Sequence, residues 1–409
     1  MRHFYLILWI MLIVSKAFGS AREVKNINDF GVFPIRKQNE TDLMKKDRYE
    51  NIKSAFEFCI KNGCNLFFPK GIYDVGARNF PFRNDLNSRT LLDCKGIKII
   101  GSGDGTIFMT SSSTGADVLQ LNKVKNISFE KLAITAVLTN KNKSGSNGIS
   151  ITNGFDNIYL NDILIYNLPG VDVGGGIDGS KGLTIQAQTG VTLKMGKLFA
   201  HKIRVVNCAY GFRLDTNYLD DILSQRNTLD LDINLSAKTC YQGVSIAFGK
   251  ARKTVPSNAK LNIRMNVDLK DCQQYVRFSR VFGGTYSIFM EKSPTYRANN
   301  WARDDKLSFG FLSNYSKNVN LNLKGNVGKV DKKIIIGAVG SIVEPFSISN
   351  STDNSNFYFN IDGQANSEFE IIEYQGKSML GNSIELGPKI KLNNQTRNKV
   401  NRQNKIYNK

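Results

Sequence analysis

The chain has 409 residues, 41% hydrophobic and 22% charged, so it can build a large core and is not disordered overall. Lys plus Arg number 55 against 35 acids, a formal charge of +20 that implies an anionic partner: nucleic acid, anionic membrane or acidic polysaccharide. The only histidines are His3 and His201, which excludes a multi-histidine metal centre and any catalytic pair of histidines.

Residues 1–21 read as a secretory signal peptide. Arg2 and His3 precede an apolar run over residues 4–14, and small residues follow at Ala17, Gly19 and Ala21. The run is too short for a membrane span, which needs ~20 apolar residues. A periplasmic or secreted location is therefore expected. Export moves the weight among anionic partners away from nucleic acid and toward acidic glycans.

Residues 22–75 form an N-terminal capping segment. Residues 24–31 (VKNINDFG) read as a short strand ending at a Gly turn. Residues 49–61 (YENIKSAFEFCIK) place Ile52, Ala55, Phe56, Cys59 and Ile60 on one face of a helix, which Asn62-Gly63 stops. Residues 65–75 (NLFFPKGIYDV) read as two short strands around a Pro-x-Gly turn. Asp-Phe-Gly, then a helix containing Ala, then Phe-Phe-Pro-x-Gly-x-Tyr resembles the opening of pectate-lyase-superfamily β-helix proteins. That group includes polygalacturonase-like enzymes, phage tailspikes and polysaccharide epimerase-like domains. The resemblance implies a right-handed parallel β-helix that handles polysaccharide. The stretch between the first strand and the helix departs from the family, with Asn39, Asp42 and Asp47 where an Asp-Gly and paired Asp are usual.

Residues 76–386 carry a repeat. Short apolar-x-apolar strands begin at Ile97, Ile127, Ile158, Leu198, Leu229, Leu261, Ile288, Val319 and Phe357, a period of about 31 with two insertions. Most units hold a second strand, as at Leu132, Ile163, Ile203, Ile233 and Val267. A third follows at Ile149, Val171, Phe212, Val244 and Val276. Three short strands per unit describe one rung of a triangular parallel β-helix, in which stacked neighbours complete each rung's core. A β-sandwich is the alternative, and a single period held through many units argues against it. The helix then caps the open N-terminal end of the solenoid.

Cys208, Cys240 and Cys272 are each 32 apart, four residues before a third strand, and Asn167 is expected in the same slot one rung earlier. An inward stack of small side chains is the simplest reading; a disulfide between rungs or a metal site are the others. Cys59 and Cys64 flank the helix end and could pair in an oxidising compartment.

Strand residues between two apolar positions point outward. On the third-strand face these are Ser150, Asp172, Arg213, Ser245, Arg277 and Ser308, with Asp215 one step beyond Arg213. Repeat alignment places Asp172 beside Arg213, so Asp172 and Asp215 lie ~8 Å apart at Cα. Such a spacing suits the acid and base of an inverting glycosidase. Tyr210 lies upstream on the same rung, and Arg213 and Arg277 suit uronate or sulfate. An alternating stripe of this kind also serves solubility alone. A lyase would instead use Arg213, Arg277 or Lys250 as base, with Ca²⁺ held by Asp172 and Asp178 neutralising the substrate carboxylate. His201 reads as a surface or packing residue. An aromatic and basic loop over residues 288–303, with Tyr296 and Trp301, could stack on sugars. Polygalacturonase-like enzymes carry Gly-His-Gly, which is missing here. The motif Tyr210-Gly211-Phe212-Arg213-Leu214-Asp215 keeps only the start of the alginate-epimerase pattern.

Residues 387–409 are basic and rich in Asn and Gln, and are expected to be an unstructured tail. Two functions follow. One is an exported enzyme acting on an acidic polysaccharide as glycosidase, lyase or epimerase. The other is a non-catalytic periplasmic protein of capsule or exopolysaccharide biosynthesis, similar to the β-helix protein of colanic-acid gene clusters. Neither requires nucleic acid or a membrane span, and oligomeric state is left open.

Overall fold

The computed structural model describes residues 22–35, 41–76, 90–112, 117–138, 147–168, 170–172, 177–187, 195–216, 229–248, 261–296, 308–314, 316–337, 355–367, 370–372, 381–388, 390 and 405–408. The signal-peptide segment, Lys250 and Trp301 lie outside the described residues.

The chain folds as a parallel β-solenoid with one N-terminal helix, the architecture that the opening motif's resemblance implies. The helix, α1, spans Asp42–Asn62. It begins seven residues before the apolar stripe predicts. The Thr41 hydroxyl accepts from the Met44 N–H at 3.2 Å, and Asp42 places negative charge at the positive end of the helix. The first turns carry no stripe because Leu43 and Met44 face solvent. Gly63, at φ 70°, ends the helix. Ile52, Ala55, Phe56 and Cys59 are buried as their spacing predicts, and Phe58 meets Phe30 edge-on at 5.4 Å.

Below the helix the rungs stack in register. Val24–Asn26 pairs with Asn65–Phe67, which pairs with Ile99 and Ile100. A first sheet stacks Ile97, Ile127, Ile158, Leu198, Leu231 and Ile263. A second stacks Leu132, Ile163, Ile203, Leu235 and Val267. A third stacks Leu119, Ile149, Leu183, Phe212, Val244 and Val276. All of these are buried in one continuous apolar core. The repeat aligned Leu229 with Leu198, but the structure pairs Leu231 with Leu198. A two-residue offset preserves the inward face, because side chains alternate with period two.

Asparagines make several of the corners. Asn126 and Asn157 adopt left-handed φ of 58° and 51°, and Asn157 Nδ2 donates to Asn126 Oδ1 at 3.0 Å. Asn207 and Asn167 repeat this geometry at another corner, again at 3.0 Å. Asn tolerates this backbone and its amide joins the rungs. Asn167 is thus a turn residue, and Leu168 pairs with Cys208 in the slot expected for Asn167. Cys208, Cys240 and Cys272 are buried as free thiols, each donating to the carbonyl two residues upstream. Cys59 and Cys64 are also free, with sulfurs 2.8 Å apart. At the other end, Lys405–Asn408 pairs in parallel with Ser383–Leu386, so part of the basic tail expected to be unstructured completes the solenoid.

Candidate functional site on the third sheet

The outer face of the third sheet is built by one registered row: Gln120, Ser150, Thr184, Arg213, Ser245 and Arg277. Two expectations are corrected here. Asp172 does not sit beside Arg213; Thr184 does. Val171-Asp172-Val173 matches the strand pattern, but Gly170–Asp172 pairs antiparallel with Ile177–Gly179 in a hairpin outside the solenoid sheet. Lys181–Ala187 takes the rung. The hairpin sets Val171 across from Asp178 and Asp172 across from Ile177, but these side chains lie outside the description. After Arg277 the row continues at Leu312 and Ile335, and Ser308 is not part of it.

Arg213, Asp215 and Tyr210 come together as predicted. Positions 213 and 215 share the outward face of one strand, and Tyr210 opens that strand. Arg213 Nη2 donates to Asp215 Oδ2 at 2.6 Å, and the guanidinium lies 5.2 Å from the Tyr210 ring centroid. Lys181 approaches the same ring at 6.0 Å. Beyond it, Tyr210 meets Tyr241 edge-on, Gln274 donates to the Tyr241 hydroxyl at 3.0 Å, and Gln242 donates to Gln274 at 2.8 Å. Arg277 is exposed, two rungs from Arg213.

The face is less solvated than its polar sequence implies. Ser150, Thr184 and Ser245 are buried, and Arg213 and Asp215 keep only 29% and 24% side-chain exposure. Gln120 Oε1, Thr184 Oγ1 and Arg213 Nε are among the row's polar atoms that are buried with no hydrogen-bond partner among the described residues. An unmet buried polar atom costs ~1–3 kcal/mol, so such a row needs an explanation.

Sequence reasoning missed Asp117. It stands two residues before the strand that begins at Leu119, the position Tyr210 holds on its own rung. Burial raises its carboxyl above the ordinary value of 3.8, against the Ser150 and Asn147 hydrogen bonds and the Lys181 charge that lower it. Asn147 Nδ2 donates to Asp117 Oδ1 at 2.6 Å, and Asn147 Oδ1 accepts from the Lys181 N–H at 3.0 Å. A lone Asp before a short strand has no motif to mark it. Asp117 and Asp215 are three rungs apart, ~14 Å or more, too far to flank one bond as an inverting pair. Among the described residues no group of three or more His, Cys, Asp or Glu could hold a metal ion. His201 lies on a different sheet, 3.5 Å from Asp232.

No protein-family profile and no curated protein matches the chain. Among solved structures it is similar to the Agl-KA catalytic domain, at 11% identity and TM-score 0.45, over 95% of this chain and 67% of that one. It is also similar to the Yersinia enterocolitica family 28 exopolygalacturonase, at 12% identity and TM-score 0.30, over 91% and 79% of the two chains. Likeness at this level transfers neither site residues nor chemistry to this chain.

Proposed function

We propose that the protein binds an acidic polysaccharide along the outer face of the third sheet, with the polymer crossing successive rungs. The registered row of polar and cationic side chains from Gln120 to Arg277, one per rung, carries this reading. An extended polymer crossing the rungs would pass one such position per rung. Arg213 is the anchor: Asp215 and Tyr210 hold its guanidinium, and the exposed part of that group is available to a uronate carboxylate. Arg277 adds a second, exposed cation two rungs on. The chain's charge of +20 favours approach of a polyanion.

Export to the periplasm or outside the cell belongs to this proposal, and rests on the pattern of residues 1–21. The arrangement at Arg213 is one of holding and orienting: its partner Asp215 is engaged as a counter-ion. This favours the role of a glycan-handling protein of surface-polysaccharide biosynthesis. Catalysis is the second reading, and one observation supports it. Asp117 is a half-buried carboxyl with raised proton affinity on the same face, the property a general acid needs. The test is affinity electrophoresis through gels holding polygalacturonate, alginate or neutral dextran, followed by an assay for new reducing ends and for unsaturated products. Retardation on an acidic polymer without product supports the holding role. Product formation that Asp117→Asn abolishes supports the catalytic one. No retardation on either acidic polymer at low salt sinks both.

A further inference from the structure

The outer face of the first sheet has a different chemistry. Its registered row runs Lys98, Ser128, Tyr159, Phe199, Asp232 and Arg264. Tyr159 and Phe199 stack face to face at 4.9 Å with their planes 9° apart, and Tyr159 is 44% exposed. Phe199 covers one face of the Tyr159 ring. The neighbour on the other side is Ser128, whose side chain is too short to cover the opposite face. A cavity of about 420 Å³ adjoins the stack, lined by Ser128, Tyr159, Asn161, Phe199 and His201, with Lys98 and Glu130 as its wall. A second cavity of about 520 Å³ shares Asn161 and His201 and continues over Asn234, Asn266 and Ser287. Both volumes fall within the range of ligand-binding clefts.

Most charges in this groove are matched, while Lys202 lines the second cavity with no ion-pair partner among the described residues. Lys98 pairs with Glu130 at 2.9 Å. Asp232 is shared by His201 at 3.5 Å and Arg264 at 3.3 Å. What remains is an uncovered aromatic face beside a line of amides and hydroxyls. That combination fits the apolar face and the hydroxyl rim of an uncharged pyranose.

We propose that the first sheet carries a second glycan site, in which a neutral sugar residue seats over Ser128 against the Tyr159 ring and the adjoining residues run along Asn161, Asn234 and Asn266. The site is independent of the third-sheet reading and stands or falls separately. With two faces of the solenoid occupied, the protein would hold a heteropolysaccharide by its acidic residues on one side and its neutral residues on the other, or bridge two chains.

The experiment is affinity electrophoresis of the full-length protein through gels containing dextran, xylan or galactomannan, at low and high salt. Wild type should be retarded by at least one of the three, with little salt dependence, because no net charge is matched. Tyr159→Ala should weaken that binding about tenfold, the scale expected for a lost aromatic contact. Ser128→Phe should abolish it by filling the seat, while extending the stack and keeping the melting temperature. Arg213→Ala should leave it unchanged, and Tyr159→Ala should leave polygalacturonate binding unchanged. Absence of retardation on all three neutral polymers overturns the proposal. So does equal retardation of wild type and Ser128→Phe.

Discussion

Arg213 and Asp215, two residues apart on one strand, form an ion pair of 2.6 Å on the outer face of the solenoid, with the guanidinium braced against Tyr210. Side chains at i and i+2 of a strand share a face, so the pair is set by a single strand and needs no long-range fit. It half-buries a guanidinium that still has a free edge. The first prediction follows from that free edge. Arg277→Ala should weaken binding to polygalacturonate by ~1–3 kcal/mol with little change in melting temperature, because its side chain is exposed. Arg213→Ala should weaken binding by at least as much, and should also lower the melting temperature by leaving Asp215 without its partner. Arg213→Lys should restore stability better than binding, since an ammonium cannot form the planar fork. Calorimetric titration and thermal melts check all three. Equal binding by Arg277→Ala, Arg213→Ala and wild type would place the groove elsewhere.

The Asp117 carboxyl gives a pH signature. Its proton affinity is raised in the fold by burial, so the native state holds a proton that the unfolded chain releases above about pH 3.8. Its contribution to stability is full below that value. It drains away as pH rises toward the raised native value, and is flat beyond. Asp117→Asn removes the proton and keeps an oxygen for the Asn147 amide. The melting temperature of Asp117→Asn relative to wild type should therefore climb with pH from about 4 upward and then level off. A difference that does not change with pH would contradict the burial of this group.

The Cys59 and Cys64 sulfurs lie 2.8 Å apart at the foot of α1, close enough for an oxidant to join them. Protein prepared through an oxidising compartment should lose two hydrogens in intact mass and show both cysteines protected from alkylation after denaturation. The bond would tie the end of the capping helix to the first rung. Cys208, Cys240 and Cys272 should remain alkylatable after denaturation and inert before it, since all three thiols are buried. Recovery of Cys59 as a free thiol from exported protein would rule the bond out.

Gly211 lies where the third sheet's corner presses on the second. A Cβ added there would fall 2.6 Å from the Ala237 Cβ and 2.6 Å from the Gly243 carbonyl oxygen. Neither is the movable end of a long side chain. Gly211→Ala should cost ~1–3 kcal/mol in denaturant unfolding, by overpacking. Gly103→Ala, with nothing within 4 Å of the added carbon but a φ of +87°, should cost less than Gly211→Ala and only through backbone strain. Equal stability of Gly211→Ala and wild type would contradict the close approach of these corners.

The period of about 31, the cysteine slot 32 apart and the apolar face of α1 are local patterns, and the sequence by itself determined them. Each repeats a rule that acts within a few residues: alternation in a strand, three-to-four spacing in a helix. Those rules determine the parallel β-helix, because each rung exposes an apolar side that only an identical neighbour can cover. They do not decide which apolar-x-apolar triplet enters the sheet. Val171-Asp172-Val173 and Leu183-Thr184-Ile185 read alike. The solenoid uses the second because that segment continues the row from Ile149 to Phe212, while Gly170–Asp172 pairs antiparallel with Ile177–Gly179. The neighbour of Arg213 is thus a tertiary fact. So is the burial of Asp117, which depends on Asn147 and Lys181 from the next two rungs, and so is the uncovered ring of Tyr159, which depends on Ser128 from the rung before. Distances between rungs join residues some thirty positions apart, and no pattern confined to a window of sequence encodes them.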